Sequence, residues 1–313
     1  MNITEHLSIL VIVCVTISCS LNLIVLSSVI SISRYINKWK KSLPYNHKIY
    51  PHVTVLAPLR GKFNPVHVTS LLNQNYSGVW DVIFLTTDVD KAHQQIKPFL
   101  TKYPNTSLVC TTDVVTLSQK ENLHRGQKCQ NIIEGIESLP EDTEYLAFID
   151  ADVNPPANWL ETLIAPIAAK PDELKITTLL RFSDAHGNFV SKMQSAWFLG
   201  AISLMVGPWN YVWGGSYALS KKTLNSLGGV SIWNGKSHWF VCEDLTLTRK
   251  LKQKKGKVIY ISHLPIIYES EKEALSLPKV ITFANRQMLH LLWGKLDLWY
   301  LIFFTHVVKT LAA

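Results

Sequence analysis

Asp150 and Asp152 stand one alanine apart, at the end of the run Tyr145-Leu-Ala-Phe-Ile149. Those mostly apolar residues predict a buried strand. Pro155 and Pro156 stop it, and Asn158 opens a helical pattern. An acid-x-acid pair at the carboxyl end of a strand offers oxygen ligands to a hard divalent cation, which often bridges to phosphates. The plainer reading is a polar turn, where aspartate is common. Asp88 and Asp90 follow another apolar run, Asp81–Thr86. Glu243 and Asp244 open an apolar i, i+3 stripe, and acids in a first helical turn also suit the helix dipole.

These groups need elements to hold them. Strands are predicted at Val53–Ala57, Asp81–Thr86, Ser107–Cys110, Tyr145–Ile149, Lys175–Leu180 and Lys257–Ile261. Helices are predicted at Val66–Asn75, Lys91–Tyr103, Asn122–Leu139 and Leu277–Leu292. Alternating strands and helices imply an α/β fold with a parallel sheet and right-handed crossovers. The first strand ends in the turn Pro58-Leu-Arg60-Gly61 and lacks the glycine fingerprint of dinucleotide binding, which argues against NAD. There is no Walker lysine loop.

The chain has 313 residues, 47% of them hydrophobic and 17% charged, enough for a large core. Ten tryptophans and a net charge of +8 suit a membrane surface and phosphate groups; no nucleic-acid motif is present. Cysteines 14, 19, 110, 129 and 242 show no CxxC spacing, so neither a disulfide framework nor a zinc site is expected.

Leu7 to Ser33 contains no charged residue and is long enough to span a bilayer. Its start has no basic residue, which argues against a cleaved signal. Arg34, Lys38, Lys40 and Lys41 follow, placing the C-terminal side in the cytoplasm. The expected organisation is an anchor at 1–34, a linker at 35–52, a catalytic domain at 53–290 and an apolar, membrane-associated segment at 291–313. Met193–Ser220 also carries no charge, but Gly200, Gly207, Pro208 and Gly214-Gly215 break it. It is read as a membrane-lying amphipathic helix or the lining of a lipid groove, with plain core as the alternative. Lys252–Lys257 is read as a solvated basic face near phosphates or lipid heads.

Between Val53 and Trp293 the stations resemble those of family-2 inverting glycosyltransferases, closest to the membrane-anchored, ceramide glucosyltransferase-like branch. They are Pro58-Leu59-Arg60, Asp88 or Asp90, Gly126-Gln127-Lys128 with Asn131, Asp150-Ala-Asp152, Trp213-Gly-Gly-Ser216, Glu243-Asp244 and Arg286-Gln287. The departure is in the last helix, where His290 and Leu291 stand in place of the Arg-Trp of a QxxRW motif.

The resemblance implies a glycosyltransferase A-type, Rossmann-like nucleotide-diphospho-sugar transferase domain behind an N-terminal transmembrane helix. It implies transfer of one hexose, from a UDP-glucose type of donor, to a membrane lipid. Asp150 and Asp152 would hold Mn2+ or Mg2+. Pro58, Arg60, Asp88, Asp90, Lys128, Asp150, Arg286 and Gln287 would hold the donor. Asp244 would be the general base, with Glu243 in support. The alternatives are a processive polysaccharide synthase, a metal-dependent nucleotidyl or phosphoryl transferase, and a binding protein with a dead transferase fold.

Overall fold

The computed structural model describes residues 31–37, 50–121, 125–179, 204–234, 242–262 and 276–294, with 181–183, 266–268 and isolated positions at 12–30, 189–202 and 299–300. The first strands are β1 (Val53–Pro58), β2 (Trp80–Thr86), β3 (Thr106–Cys110) and β4 (Tyr145–Ile149). They are followed by β5 (Lys175–Thr178), β6 (Arg181–Ser183), β7 (Ser216–Ser220), β8 (Lys257–Tyr260) and β9 (Ile266–Tyr268). Seven of them form one sheet in the order β3-β2-β1-β4-β7-β5-β8, while β6 and β9 form a separate parallel pair.

β1 to β4 are mutually parallel, as the alternation predicted. The second half departs from that expectation. β7 runs antiparallel to both its neighbours, β4 and β5, so the sheet is mixed. β7 is also the end of the charge-free stretch read above as a membrane-lying helix. Ser216–Ser220 is instead a fully buried central strand, and Met205 and Val212 ahead of it are core. The end of the stretch carries no charge because Val212 and Gly214 to Ser220 lie inside the protein, whereas Gly207 and Pro208 are exposed. Most of 193–203 falls outside the described residues.

Both sheet faces are covered. Val53, Val55, Ala57, Val82, Phe84, Tyr145, Ala147 and Ile149 point to one face, and the intervening Leu56, Ile83, Leu85, Leu146 and Phe148 point to the other. That is the period of two that a pleated strand imposes. On the first face lie α1 (Pro65–Leu72), α2 (Lys91–Lys102) and α5 (Trp159–Ala168). On the second lie α4 (Gln127–Glu137), α6 (Lys221–Leu227) and α7 (Glu243–Gln253). Before α4 runs α3 (Val114–Glu121), a helix the sequence pattern missed. Each fully buried side chain such as Leu56, Phe84 or Ile132 contributes roughly 1.5–3 kcal/mol over its exposed state.

The crossovers after β1 and β2 use the first face, and the connection from β3 to β4 uses the second. Strand order therefore reverses between β1 and β4. The crevice outside the carboxyl ends at such a switch point is where open α/β sheets bind ligands. Pro58 and Asp150 stand there.

Two outer elements touch this body. Helical residues 31–37 place Ile32 in a small apolar cluster with Ile202, Met205 and Tyr260. Tyr35 stacks on Tyr260 and donates its hydroxyl to that residue's carbonyl at 2.8 Å. The last element is α8 (Leu277–Gly294). Among the described residues no helix is long and apolar enough to cross a membrane. Most of Leu7–Ser33 and all of 301–313 lie outside those residues.

Candidate active site

Lys128, in the first turn of α4, is the hub of the crevice. Gly126 caps that helix, and a buried network fixes its position. Asn131 Oδ1 accepts from Thr111 Oγ1 at 2.7 Å and from Gln127 Nε2 at 2.8 Å, and Asn131 Nδ2 donates to the Leu85 carbonyl at 3.3 Å. So held, Lys128 Nζ reaches Asp150 Oδ1 at 2.7 Å, Glu243 Oε1 at 2.6 Å and the Gly214 carbonyl at 2.9 Å. The Glu243 side chain is 9% exposed, against 32% for Asp150, so the Glu243 half of the bridge is better shielded from water.

Asp244 stands beside this bridge. Its Oδ2 accepts from the Gly214 amide at 2.8 Å, and its Oδ1 accepts from the Leu245 amide at 2.6 Å and the Cys242 thiol at 3.0 Å. Gly214 thus serves Lys128 with its carbonyl and Asp244 with its amide. A Cβ on Gly214 would sit 2.7 Å from Glu243 Oε1, 2.8 Å from Asp244 Oδ2 and 3.1 Å from Lys128 Nζ. Close packing, not backbone angle, demands glycine here.

These neighbours tune the acids differently. Burial and the adjacent Glu243 push the Asp244 carboxyl up to about 6. Burial likewise raises Asp150, against the pull of Lys128 and with the push of Asp152, to about 6. For Glu243, burial is outweighed by the Lys128 charge and hydrogen bonding, which together hold its carboxyl below the usual range. Burial lowers Lys128, but the charges of Asp150 and Glu243 prevail and lift its ammonium well above the ordinary value. The Lys128–Glu243 half of the bridge is therefore a fixed ion pair, while Asp150 and Asp244 are the two acids whose protons exchange nearest neutrality. The helix start was expected to favour its ionised form, yet burial moves it the other way.

Asp152 is exposed at the mouth, three residues past β4. The backbone between the two acids is braced from below. Asn64 Nδ2 meets His67 Nε2 at 3.4 Å, and His67 Nδ1 meets the Ala151 carbonyl at 3.4 Å. The amide and the carbonyl assign the proton to Nδ1. Sequence reasoning missed this buried histidine, since nothing in its spacing marks it. The Asp150–Asp152 pair offers oxygen ligands only, one carboxylate open to solvent, which fits Mg2+ or Mn2+ and not a thiophilic ion.

The remaining expected residues are placed as follows. Pro58 ends β1 beside the crevice, and Arg60 is exposed just after it. Asp88 is exposed in the turn after β2. Asp90 is drawn into structure: its Oδ1 accepts from Ala92, capping α2 at 2.9 Å, and from Gly61 at 2.7 Å. It thereby ties the loop after β1 to the loop after β2. Arg286 and Gln287 lie on α8, where Arg286 is exposed and rests over the Phe283 ring at 5.8 Å. His290, one turn further on, is half-buried within electrostatic reach of Glu243. Burial, with the charges of Arg286 and Lys128, holds its imidazole neutral.

The basic run corrects a further expectation. α7 starts at the site and runs away from it, so Lys254, Lys255 and Lys257 lie in the turn into β8, at the far end of the sheet. They do not face donor phosphates.

The fold resembles that of a mannosyltransferase from Pyrobaculum calidifontis, solved in complex with GDP-Man and Mn2+ (TM-score 0.55, 16% identity, 89% of this chain and 74% of that one). Weaker likeness extends to glucosyl-3-phosphoglycerate synthase from Mycobacterium tuberculosis (TM-score 0.47, 14% identity, 78% and 79%). It extends also to 4-diphosphocytidyl-2C-methyl-D-erythritol synthase from Anaerococcus prevotii (TM-score 0.43, 12% identity, 76% and 96%). No curated protein matches in sequence. Residues 19–297 match the model of glycosyl transferase family 21, a span that takes in Lys128, the Asp150–Asp152 pair, Gly214, Glu243-Asp244 and α8. The chain belongs to glycosyltransferase family 21.

Proposed function

We propose that this glycosyltransferase moves one hexose, with inversion, from a UDP-glucose type of donor to a membrane lipid at the cytoplasmic face. The observation that carries the reading is the bridge itself. Lys128 joins Asp150, just past β4, to Glu243, and the neighbouring Asp244, outside the bridge, is raised towards neutrality while Glu243 is held ionised.

Asp150 and Asp152 would hold a divalent cation, which when bound supplies Lewis-acid neutralisation of the leaving diphosphate. Asp244 takes the proton of the acceptor hydroxyl. The new bond forms between that oxygen and the anomeric carbon, and the bond to the diphosphate oxygen breaks. A base that best serves neutral pH is one poised near it, and Asp244 is nearer than Glu243. One base on one face of the sugar gives inversion. Arg286 would reach donor phosphates as a planar fork, and Asp88 and Asp90 would flank the nucleoside end.

Position supports a lipid acceptor. β8 points the same way as β5, and β5 the same way as β4, through the reversed β7. The far end of β8, at Tyr260, therefore lies at the same end of the sheet as Asp150. There Ile32 and Tyr35 dock, at the end of the apolar Leu7–Ser33 stretch and just past it. Residues 1–34 as an anchor would set the crevice against the bilayer, with Arg34 and Lys38 on the cytoplasmic side. The exposed Leu277, Ile281 and Leu289 of α8 add apolar surface suited to that setting.

The purified protein is offered a panel of nucleotide sugars, each with vesicle-borne lipids or soluble sugars, and diphosphate release is measured. Release from UDP-glucose that depends on a lipid is expected. Preference for a soluble sugar acceptor over every lipid removes the lipid reading, and release from no nucleotide sugar removes the donor reading. Labelling of cysteines introduced at Gly187 and Lys236 tests sidedness, with both sites expected to react only from the cytoplasmic side.

A further inference from the structure

We propose that Cys242 is a positioning residue for Asp244, and that its thiol leaves Oδ2 as the oxygen that takes the acceptor proton. The proposal rests on the reading of Asp244 as the base. Cys242 occupies the N-cap of α7, yet makes no side-chain cap hydrogen bond there. Serine, threonine, aspartate and asparagine dominate such positions because their oxygens accept from the helix amides. Here the side chain does the opposite and donates, from Sγ to Asp244 Oδ1 at 3.0 Å. Its other acidic neighbour, Glu243 Oε2, is 3.9 Å away.

The count of lone pairs then distinguishes the two oxygens of Asp244. Oδ1 receives the Leu245 amide and the Cys242 thiol, which fill its two acceptor directions. Oδ2 receives only the Gly214 amide among the hydrogen bonds of the described residues. A lone pair remains on Oδ2, the oxygen nearest Gly214. During transfer the acceptor proton moves to that oxygen, the acceptor oxygen bonds to the anomeric carbon, and the diphosphate departs with its bonding electrons. The thiol keeps its proton throughout, and burial, with the charges of Asp244 and Glu243, holds it well above the usual thiol range. Without the thiol the carboxylate can turn, and its second oxygen competes for the Gly214 amide.

The test compares Cys242→Ala with Cys242→Ser, with thermal midpoint and donor affinity measured alongside. The alanine protein is expected to lose about threefold to tenfold in kcat, the factor that one hydrogen bond from a weak thiol donor commands. Its KM for donor is expected to stay put, and serine, which keeps a donor, is expected to restore kcat. If the alanine protein does not fold, Cys242→Val fills the space without a donor. Wild-type kcat in the alanine or valine protein overturns the positioning role. So does a loss that serine fails to restore, or one that appears only as a lower melting point and weaker donor binding. Asp244→Asn is measured beside them. Near-normal turnover in that variant removes the base reading itself, whereas an inactive Asp244→Asn with a fully active Cys242→Ala removes only the role of the thiol.

Discussion

Gly214 and Asp244 are joined by a 2.8 Å hydrogen bond from backbone amide to carboxylate, across a gap that has no room for a methyl group. The side chains that a Cβ would strike are pinned, Glu243 and Lys128 by their bridge and Asp244 by its hydrogen bonds, and cannot swing aside cheaply. Gly214→Ala is therefore expected to fold but to lose most of its turnover, with the damage in kcat. Overpacking of this kind costs about 1–3 kcal/mol. A variant with normal kcat would mean that the pocket is softer than this contact geometry implies.

Lys128→Met keeps the length of the side chain and removes its charge. Glu243 is then left buried and unpaired, and Asp150 loses its only cationic contact among the described ion pairs. Breaking a buried pair is costly, but Lys128 is 31% exposed, so solvent screens part of the loss. A destabilisation of about 1–3 kcal/mol at neutral pH is expected, together with a large fall in turnover. Chemical denaturation and steady-state kinetics on one preparation check both.

Asp244 accepts a proton only when ionised, and its carboxyl titrates at about 6. Above that pH the base is ready, and below it each unit of pH removes about tenfold in kcat/KM. An acid limb near 6 is thus expected in the pH profile. Asp244→Asn should lower turnover by about 10²–10⁴-fold while donor binding survives, and only the part of the limb that Asp150 contributes, its carboxyl being likewise raised to about 6, should remain. A stable asparagine protein with near-normal turnover would reduce Asp244 to a structural acid at the start of α7.

Asp152 is the exposed member of the metal-type pair, and His67 braces the Ala151 carbonyl beside it. Asp152→Asn should weaken Mn2+ binding by about tenfold or more, since loss of outer-shell partners alone typically costs 10–100-fold. Isothermal titration with Mn2+ reads this directly. Full activity in the presence of a chelator would remove the cation from the reaction.

What the sequence disclosed and what it hid follow from physics. The Asp150–Asp152 pair was legible because β4 is buried on both faces and reads as one apolar run before its acids. The parallel order of β1 to β4 followed from the alternation of strand and helix. β7 was hidden because a strand buried at the centre of a sheet, preceded by core residues, has the same charge-free signature as a membrane segment. α3 was missed because its pattern is weak and polar. The Lys128 bridge reaches Glu243, more than a hundred positions away, and no local spacing encodes that. Asp90 was read as a ligand because it follows a strand; that it also caps the next helix was not legible from its spacing.

The reversed direction of β7 also bears on how the molecule comes into being. Its first residue, Ser216, pairs with Ile149, so Gly214 reaches the crevice only once this distant segment has inserted between β4 and β5. Pairings so far apart in the chain close late, because the loop entropy must be met first. A slip of one residue would turn Tyr217 away from the Phe148 ring on which it stacks at 4.3 Å, and would carry Gly214 past Asp244. Partly folded or misregistered chains are therefore catalytically silent, and the onset of activity during refolding reports the arrival of this one strand.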